Sequence, residues 1–384
     1  MALRVLNVAA AALLLSGGCI ARNAAEEPND LPDASSRLTQ IRSERLRGVQ
    51  SWAIQLRGQP RLELEPIRTS AYDLVVIDYS ADGTQAGEFS VEQIAALREG
   101  AGRPKIVLAY LSIGAAEIGR FYFADAWVTP DPREQPDGPF ALTDAAPAFL
   151  LPTEADRADR GTGLRAVFDV RYLDPLWQQI VIRNPGRHPL IADAQSYLDR
   201  IIAAGFDGVY LDGLDAYQRF GPGEIGGSGE RPDAAWRMID LVLAIADHAR
   251  LIRGRRDFLV ISRNGAGIIL PEAFPPEVIP AGATRAQFVA QCRAAYLEAI
   301  DGIGVEGVFY PGPAAADNPL APQEALLALV DQYRTAGLLV LAIEYLTTAA
   351  TIDEFYSQAR LRGWTPYATT RDLSGLTVRP SQPP

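Results

Sequence analysis

Gly205-Phe206-Asp207-Gly208-Val209-Tyr210-Leu211-Asp212-Gly213-Leu214-Asp215 reads as a short buried strand, residues 208–211, that delivers a carboxylate at its end. By the two-residue strand period, Tyr210 and Asp212 share one face while Val209 and Leu211 take the other. Gly213 lets the chain turn sharply and leaves space beside the acid. An apolar strand, a terminal acid and a small-residue turn match a catalytic strand of a (β/α)8 barrel, whose chemistry sits at strand C-termini. An acid after a strand is also a common helix cap, so this run alone leaves both readings open.

The same grammar recurs. Val75-Val76-Ile77-Asp78-Tyr79 and Leu339-Val340-Leu341-Ala342-Ile343-Glu344-Tyr345 each end in an acid and an aromatic. Ile106-Val107-Leu108-Ala109-Tyr110-Leu111-Ser112-Ile113-Gly114 is followed by Glu117 and Arg120, which are spaced to pair with each other. Phe258-Leu259-Val260-Ile261-Ser262-Arg263-Asn264-Gly265 ends in an amide, and Ile303-Gly304-Val305-Glu306 in an acid. With Trp52-Ala53-Ile54-Gln55-Leu56 and Ala166-Val167-Phe168-Asp169-Val170 there are eight strand candidates. Near-continuous apolar runs suit parallel strands covered on both faces. Helical patterns over 91–99, 191–204, 234–253, 285–300, 322–336 and 352–363 alternate with them. Eight strand–helix units predict an α/β fold of the TIM-barrel type, a single domain over 46–384. No Gly-x-Gly-x-x-Gly follows the first strand, which disfavours a dinucleotide-binding sheet. Residues 128–163, rich in Pro, Asp and Ala, form an expanded loop after the third strand, on the catalytic side.

The 384 residues are 48% hydrophobic, ample for one large core. A net charge of −11 argues against nucleic acid or an anionic membrane surface as direct partner and suits a cationic ligand. Residues 1–18 combine a basic start, a short apolar run and small residues, which reads as a signal peptide. The segment resembles a bacterial lipoprotein signal with Cys19 as the lipidated residue, although Leu15 stands one position too far upstream. Residues 19–45 are polar and read as a flexible tether. An exported protein is expected, at an outer membrane or cell surface through its lipid, or free in the periplasm or medium.

Scarcity narrows the chemistry. The two histidines, His188 and His248, lie away from strand ends, which leaves no Ser–His–Asp site and too few ligands for a zinc hydrolase. The one lysine, Lys105, begins its strand, at the stability face of a barrel, so a Schiff base is excluded as well. Cys292 sits on a helical pattern and reads as a buried residue. No metal and no cofactor are expected. Strand-end carboxylates beside aromatics remain, the equipment of glycoside hydrolysis.

The motifs around Asp78, Tyr110, Asp212 and Glu306, together with Gly363-Trp364-Thr365-Pro366-Tyr367-Ala368, resemble those of glycoside hydrolase family 114, the endo-α-1,4-polygalactosaminidases and their relatives. The resemblance runs over residues 52–373 in the same motif order. It implies a (β/α)8 barrel, an amino-sugar polysaccharide as substrate, and a catalytic pair carried onto Asp212 and Glu306. Asp78, Tyr79, Tyr110, Asp215, Asn264, Tyr310, Glu344 and Tyr345 are the candidate substrate-binding residues. Each also has a structural reading: Asp78 as a holder of an arginine, Asp215 as a cap, Asn264 as turn chemistry, the tyrosines as core. Glu344 stands where relatives often place Asp at the end of the last strand. The apolar neighbours of Glu306 favour a raised pKa and a general acid, while Asp212, in a more polar setting, is the ionised nucleophile or base. The alternative function is a non-catalytic polysaccharide-binding or envelope assembly protein on the same barrel.

Overall fold

The structure, a computed structural model, describes residues 34–58, 60–135, 138–152, 166–184, 188–190, 195–220 and 230–376. Eight parallel strands form one sheet: β1 (Trp52–Gln55), β2 (Leu74–Ile77), β3 (Ile106–Ser112), β4 (Gly208–Asp212), β5 (Leu259–Arg263), β6 (Gly302–Glu306), β7 (Leu339–Tyr345) and β8 (Thr365–Thr369), side by side in that order. β8 returns beside β1, where the Trp52 indole N–H donates to the Thr365 carbonyl at 2.9 Å and the Leu56 N–H to the Leu373 carbonyl at 3.0 Å. The result is the nearly closed (β/α)8 barrel that the strand pattern predicts.

Side-chain alternation divides the apolar residues into two cores. Leu74, Val76, Leu108, Tyr110, Tyr210, Leu259, Ile261, Leu341, Ile343 and Tyr367 fill the barrel. Val75, Ile77, Val209, Leu211, Val260 and Val340 face the helices outside. Helices Val91–Glu99 and Arg285–Ala299 start at capping boxes on Ser90 and Thr284, which satisfy amide groups that the helix itself leaves unpaired. The reading over 191–204 holds for Tyr197–Ala204, capped by the Ser196 hydroxyl; residues 191–194 lie outside the described residues.

Three expectations need correction. Residues 166–170 are not a barrel strand: Val167–Asp169 pairs antiparallel with Ala115–Glu117 above the mouth. The eighth strand is Thr365–Thr369, so Glu344, next to last in β7, lies near the end of the seventh strand and not of the last. Pro366 hides this strand from a propensity reading, since proline lacks the N–H a ladder needs. The third correction is that part of the expected tether is helical. Ala34–Arg47 forms a helix, α1, that lies under the barrel floor, with Leu46 and, just beyond its end, Val49 packed into the inner core. Arg42 Nε donates to Asp301 Oδ1 at 2.7 Å and Arg45 pairs with Asp207. Those two acids immediately precede β6 and β4, so the polar composition of this segment served docking by ion pairs. The expanded loop after β3 contains a hairpin, Val128–Thr129 against Ala141–Leu142, and buries Trp127, Phe140 and Phe149. The signal peptide, Cys19 and the tether before residue 34 lie outside the described residues. No helix among the described residues is long and apolar enough to cross a membrane.

Candidate active site

β3 and β4 run in register with Tyr110 opposite Tyr210 and Ser112 opposite Asp212. That places the Tyr110 ring one step below the acid, and its hydroxyl donates to Asp212 Oδ2 at 2.6 Å. Burial, reinforced by the Asp212 charge, pushes the Tyr110 hydroxyl well up, so it remains a donor. Beyond Asp212 the chain turns at Gly213 with φ 81°; a Cβ there would stand 2.7 Å from the Gly114 backbone N. Only glycine meets both demands, and the two strand ends close against each other.

β6 brings Glu306 to the same end of the barrel, with β5 between it and β4. Arg263, the last residue of β5, bridges the two acids: Nη1 lies 3.1 Å from Asp212 Oδ1, and Nη2 pairs with Glu306 Oε2. Tyr345 at the end of β7 donates its hydroxyl to Glu306 Oε2 at 2.6 Å. Asn264, held at φ 56°, accepts the Glu306 N–H at 3.2 Å and donates its amide to Glu306 Oε1 at 3.3 Å. Burial pushes the Glu306 carboxyl up, but the Arg263 cation, with the Tyr345, Arg263 and Asn264 hydrogen bonds, overrides it and holds the group down at about 2. The expectation that apolar neighbours raise this acid is therefore corrected: Arg263 reverses their effect, and Glu306 rests as a carboxylate.

Of the candidate residues, Asp212, Glu306, Tyr110, Asn264 and Tyr345 converge in one polar cluster. Asp215 stands exposed on the 3₁₀ helix Leu214–Phe220 directly beyond β4. Asp78, inward on β2's continuation, accepts from Arg120 Nη1 at 2.7 Å, and Arg120 Nε also donates to Glu117 Oε2 at 2.8 Å. Tyr79, Tyr310 and Glu344 do not join the site. The Tyr79 ring packs 4.8 Å from Tyr197 on the outer side of the sheet. The Tyr310 hydroxyl turns to Thr351 and Glu354 at 3.4 Å. Glu344 is wholly buried on the outer face of β7 and accepts the Phe309 N–H at 2.7 Å. For Tyr79 and Glu344 strand parity, not residue type, decides which way the side chain faces; Tyr310 lies in the loop beyond β6, where no strand period applies. The residue that the sequence reading missed is Arg263. The signal was the same parity, since Leu259, Ile261 and Arg263 share the inward face.

Beside the acid pair, the mouths of β1, β2 and β3 wall a cleft of about 250 Å³ that includes Asp78, Tyr110, Glu117 and Arg120. No group of three or more His, Cys, Asp or Glu side chains among the described residues could hold a metal ion.

A family model described as glycoside-hydrolase family GH114 matches residues 177–383, which contain Asp212, Arg263 and Glu306. An uncharacterised protein of Deinococcus radiodurans is 31% identical over 336 residues, 87% of this chain and 84% of that one. The chain belongs to glycoside-hydrolase family GH114. Similarity reaches into the archaea: an uncharacterised Methanocaldococcus jannaschii protein is 26% identical, over 84% of this GH114 chain and 75% of its own. Membership supports a glycoside hydrolase and hence a polysaccharide substrate. Among solved structures, the α-galactosidase TtGalA of Thermus thermophilus aligns with 86% of this GH114 chain and 61% of its own at a TM-score of 0.40 and 13% identity.

Proposed function

We propose that this GH114 chain is an exported glycoside hydrolase that cleaves an amino-sugar polysaccharide of the polygalactosaminidase type, with Asp212 and Glu306 as its catalytic pair. The observation that carries the reading is the placement of these two acids at the mouths of β4 and β6, joined across one guanidinium. Carboxylates on either side of a glycosidic bond are what this chemistry needs: one gives a proton to the leaving oxygen, the other attacks or activates water. Asp212 takes the second role. Glu306 takes the first, and for that it needs a proton that it lacks at rest. A sugar that parts it from Arg263 leaves burial as the dominant influence, which raises the carboxyl and lets it hold one. The basic, apolar and small-residue start of the chain supports export, with Cys19 as the point of lipid attachment.

The test is incubation of the protein with partially deacetylated galactosaminoglycan and other amino-sugar polymers, with products read by mass spectrometry. New oligosaccharides are expected, reduced by about 10²–10⁴-fold in Asp212→Asn and in Glu306→Gln. Substrates with a good leaving group should recover rate in Glu306→Gln and not in Asp212→Asn; the opposite pattern exchanges the roles. If no polymer yields products, the enzyme reading fails. A second reading, a polysaccharide-binding or envelope assembly protein without turnover, is favoured by the way Arg263 ties both acids into ion pairs at rest.

A further inference from the structure

Seven large hydrophobic side chains stand exposed among the described residues, and three of them share the barrel floor: Ile41 at 50%, Leu251 at 67% and Ile252 at 59%. Leu251 and Ile252 close a π-helical turn, His248–Ile252, at the foot of the helix Ala234–Asp247. Ion pairs set this turn beside α1. Asp301 takes Arg42 of α1 on Oδ1 at 2.7 Å and Arg250 on Oδ2 at 2.6 Å. Arg42 directly follows Ile41, and Arg250 directly precedes Leu251. Arg45 also reaches Asp257 Oδ2 at 3.4 Å, which draws residues 253–257 towards the same helix.

This face reverses the charge of the chain, which carries −11 as a whole. Around the apolar residues five arginines reach solvent: Arg45, Arg47, Arg253, Arg255 and Arg256. The acids that reach solvent there are Glu44, Asp257 and Glu298, and Asp257 is already held by Arg45 and Arg255. Arg47 and Arg256 have no hydrogen bond or ion pair among the described residues. Exposed apolar side chains fringed by cations suit an anionic bilayer, where the former enter the acyl boundary and the latter meet phosphates. The path of the chain agrees. It enters the barrel through α1, so what precedes Ala34 joins the molecule at this floor.

We propose that the barrel floor is a docking surface for a bilayer of anionic phospholipid, with Leu251 and Ile252 entering the headgroup layer and Arg47, Arg253 and Arg256 meeting its phosphates. The proposal needs neither the hydrolase reading nor a lipid on Cys19. Docked in this way, the protein turns Asp212 and Glu306 away from the bilayer.

The test is sedimentation of the full chain with vesicles of phosphatidylglycerol or of phosphatidylcholine, with Cys19→Ala throughout so that no acyl chain contributes. Partition onto phosphatidylglycerol should exceed that onto phosphatidylcholine by about 10-fold or more at low salt, and fall as salt is added. Leu251→Ser combined with Ile252→Ser, at exposed positions outside the core, should lower it by about 10- to 100-fold. Arg47→Glu combined with Arg256→Glu should remove the preference for the anionic lipid. Hydrogen exchange needs no change at the patch itself: residues 251–256 should slow when phosphatidylglycerol vesicles are added, while the loops of the barrel mouth stay as they were. Equal partition of the unaltered floor and the serine pair overturns the proposal, as does unchanged exchange at 251–256. A dimer formed without vesicles and dissolved by the serine pair assigns the patch to a second copy of the chain, and overturns it as well.

Discussion

Parity along each strand sorts the strand-end residues into two kinds. Asp212, Arg263 and Glu306 stand inward on three successive strands, whereas Glu344 stands outward on the fourth. Its Oε1 accepts from Phe309 and its Oε2 is buried without a partner among the described residues. Burial raises its carboxyl to about 7, against the lowering pull of the Phe309, Tyr310 and Val308 amides and with some help from the Glu306 charge. The unfolded chain releases this proton near the ordinary carboxylate value of about 4.3. Stability from the protonated form is thus complete below that value and is lost as pH rises through about 7. Glu344→Gln, which mimics the protonated side chain, should remove the effect. Urea unfolding at pH 5 and pH 8 should show the wild type losing about 2–3 kcal/mol relative to the variant over that interval. A pH-independent difference between the two proteins would count against a raised Glu344. At this scale the sequence was legible for residue type and less so for direction. Asp212 and Glu306 read correctly as strand-end acids, yet the same reasoning gathered in Tyr79, Tyr310 and Glu344. Arg263 was legible only through parity, because an arginine beside a strand-end amide carries no other signal of facing inward.

Glycines inside a barrel strand make space for what crosses the barrel. A Cβ on Gly304 of β6 would stand 1.9 Å from the Tyr210 hydroxyl, which is buried and unpartnered among the described residues. Gly304→Ala should therefore cost about 1–3 kcal/mol in urea unfolding, the usual range for overpacking. The cost should shrink, without vanishing, in a Tyr210→Phe background, because ring carbons of Tyr210 also lie within 3 Å of that Cβ position. Equal costs in both backgrounds would mean the strands part elsewhere. Seven of the eight barrel strands were legible as apolar runs, since parallel strands covered on both faces leave no polar gaps. β8 was not, because Thr365-Pro366-Tyr367-Ala368-Thr369 is short, interrupted by proline and polar at both ends. Its edge towards β1 is joined in part by an indole N–H, a bond no propensity registers.

The molecule is fastened at one end and chemically active at the other, as barrels of this class are. Asp207 and Asp301, just ahead of the two strands that carry Asp212 and Glu306, anchor the floor. Asp207 receives Arg45 from α1, Arg98 at 2.8 Å and the Val107 N–H at 2.9 Å. Asp301 receives Arg42 of α1 at 2.7 Å, Arg250 at 2.6 Å and the Val260 N–H at 2.8 Å. Removing the two α1 arginines takes one cation from each buried acid. Arg42→Ala combined with Arg45→Ala should destabilise the fold by several kcal/mol, roughly the cost of breaking buried pairs one partner at a time. The melting temperature should fall, while binding of oligosaccharide by the molecules still folded stays as it was. A change in affinity without a change in melting would show that floor and mouth communicate. The barrel as a whole was legible from repeated strand grammar; this anchorage was not, because a polar segment ahead of the first strand looks alike whether it dangles or docks. Its docking also gives the protein an orientation. A resin or bead attached directly at residue 34 would therefore hold the molecule by its floor. The barrel mouth, with Asp212, Arg263 and Glu306, then looks outward from that support.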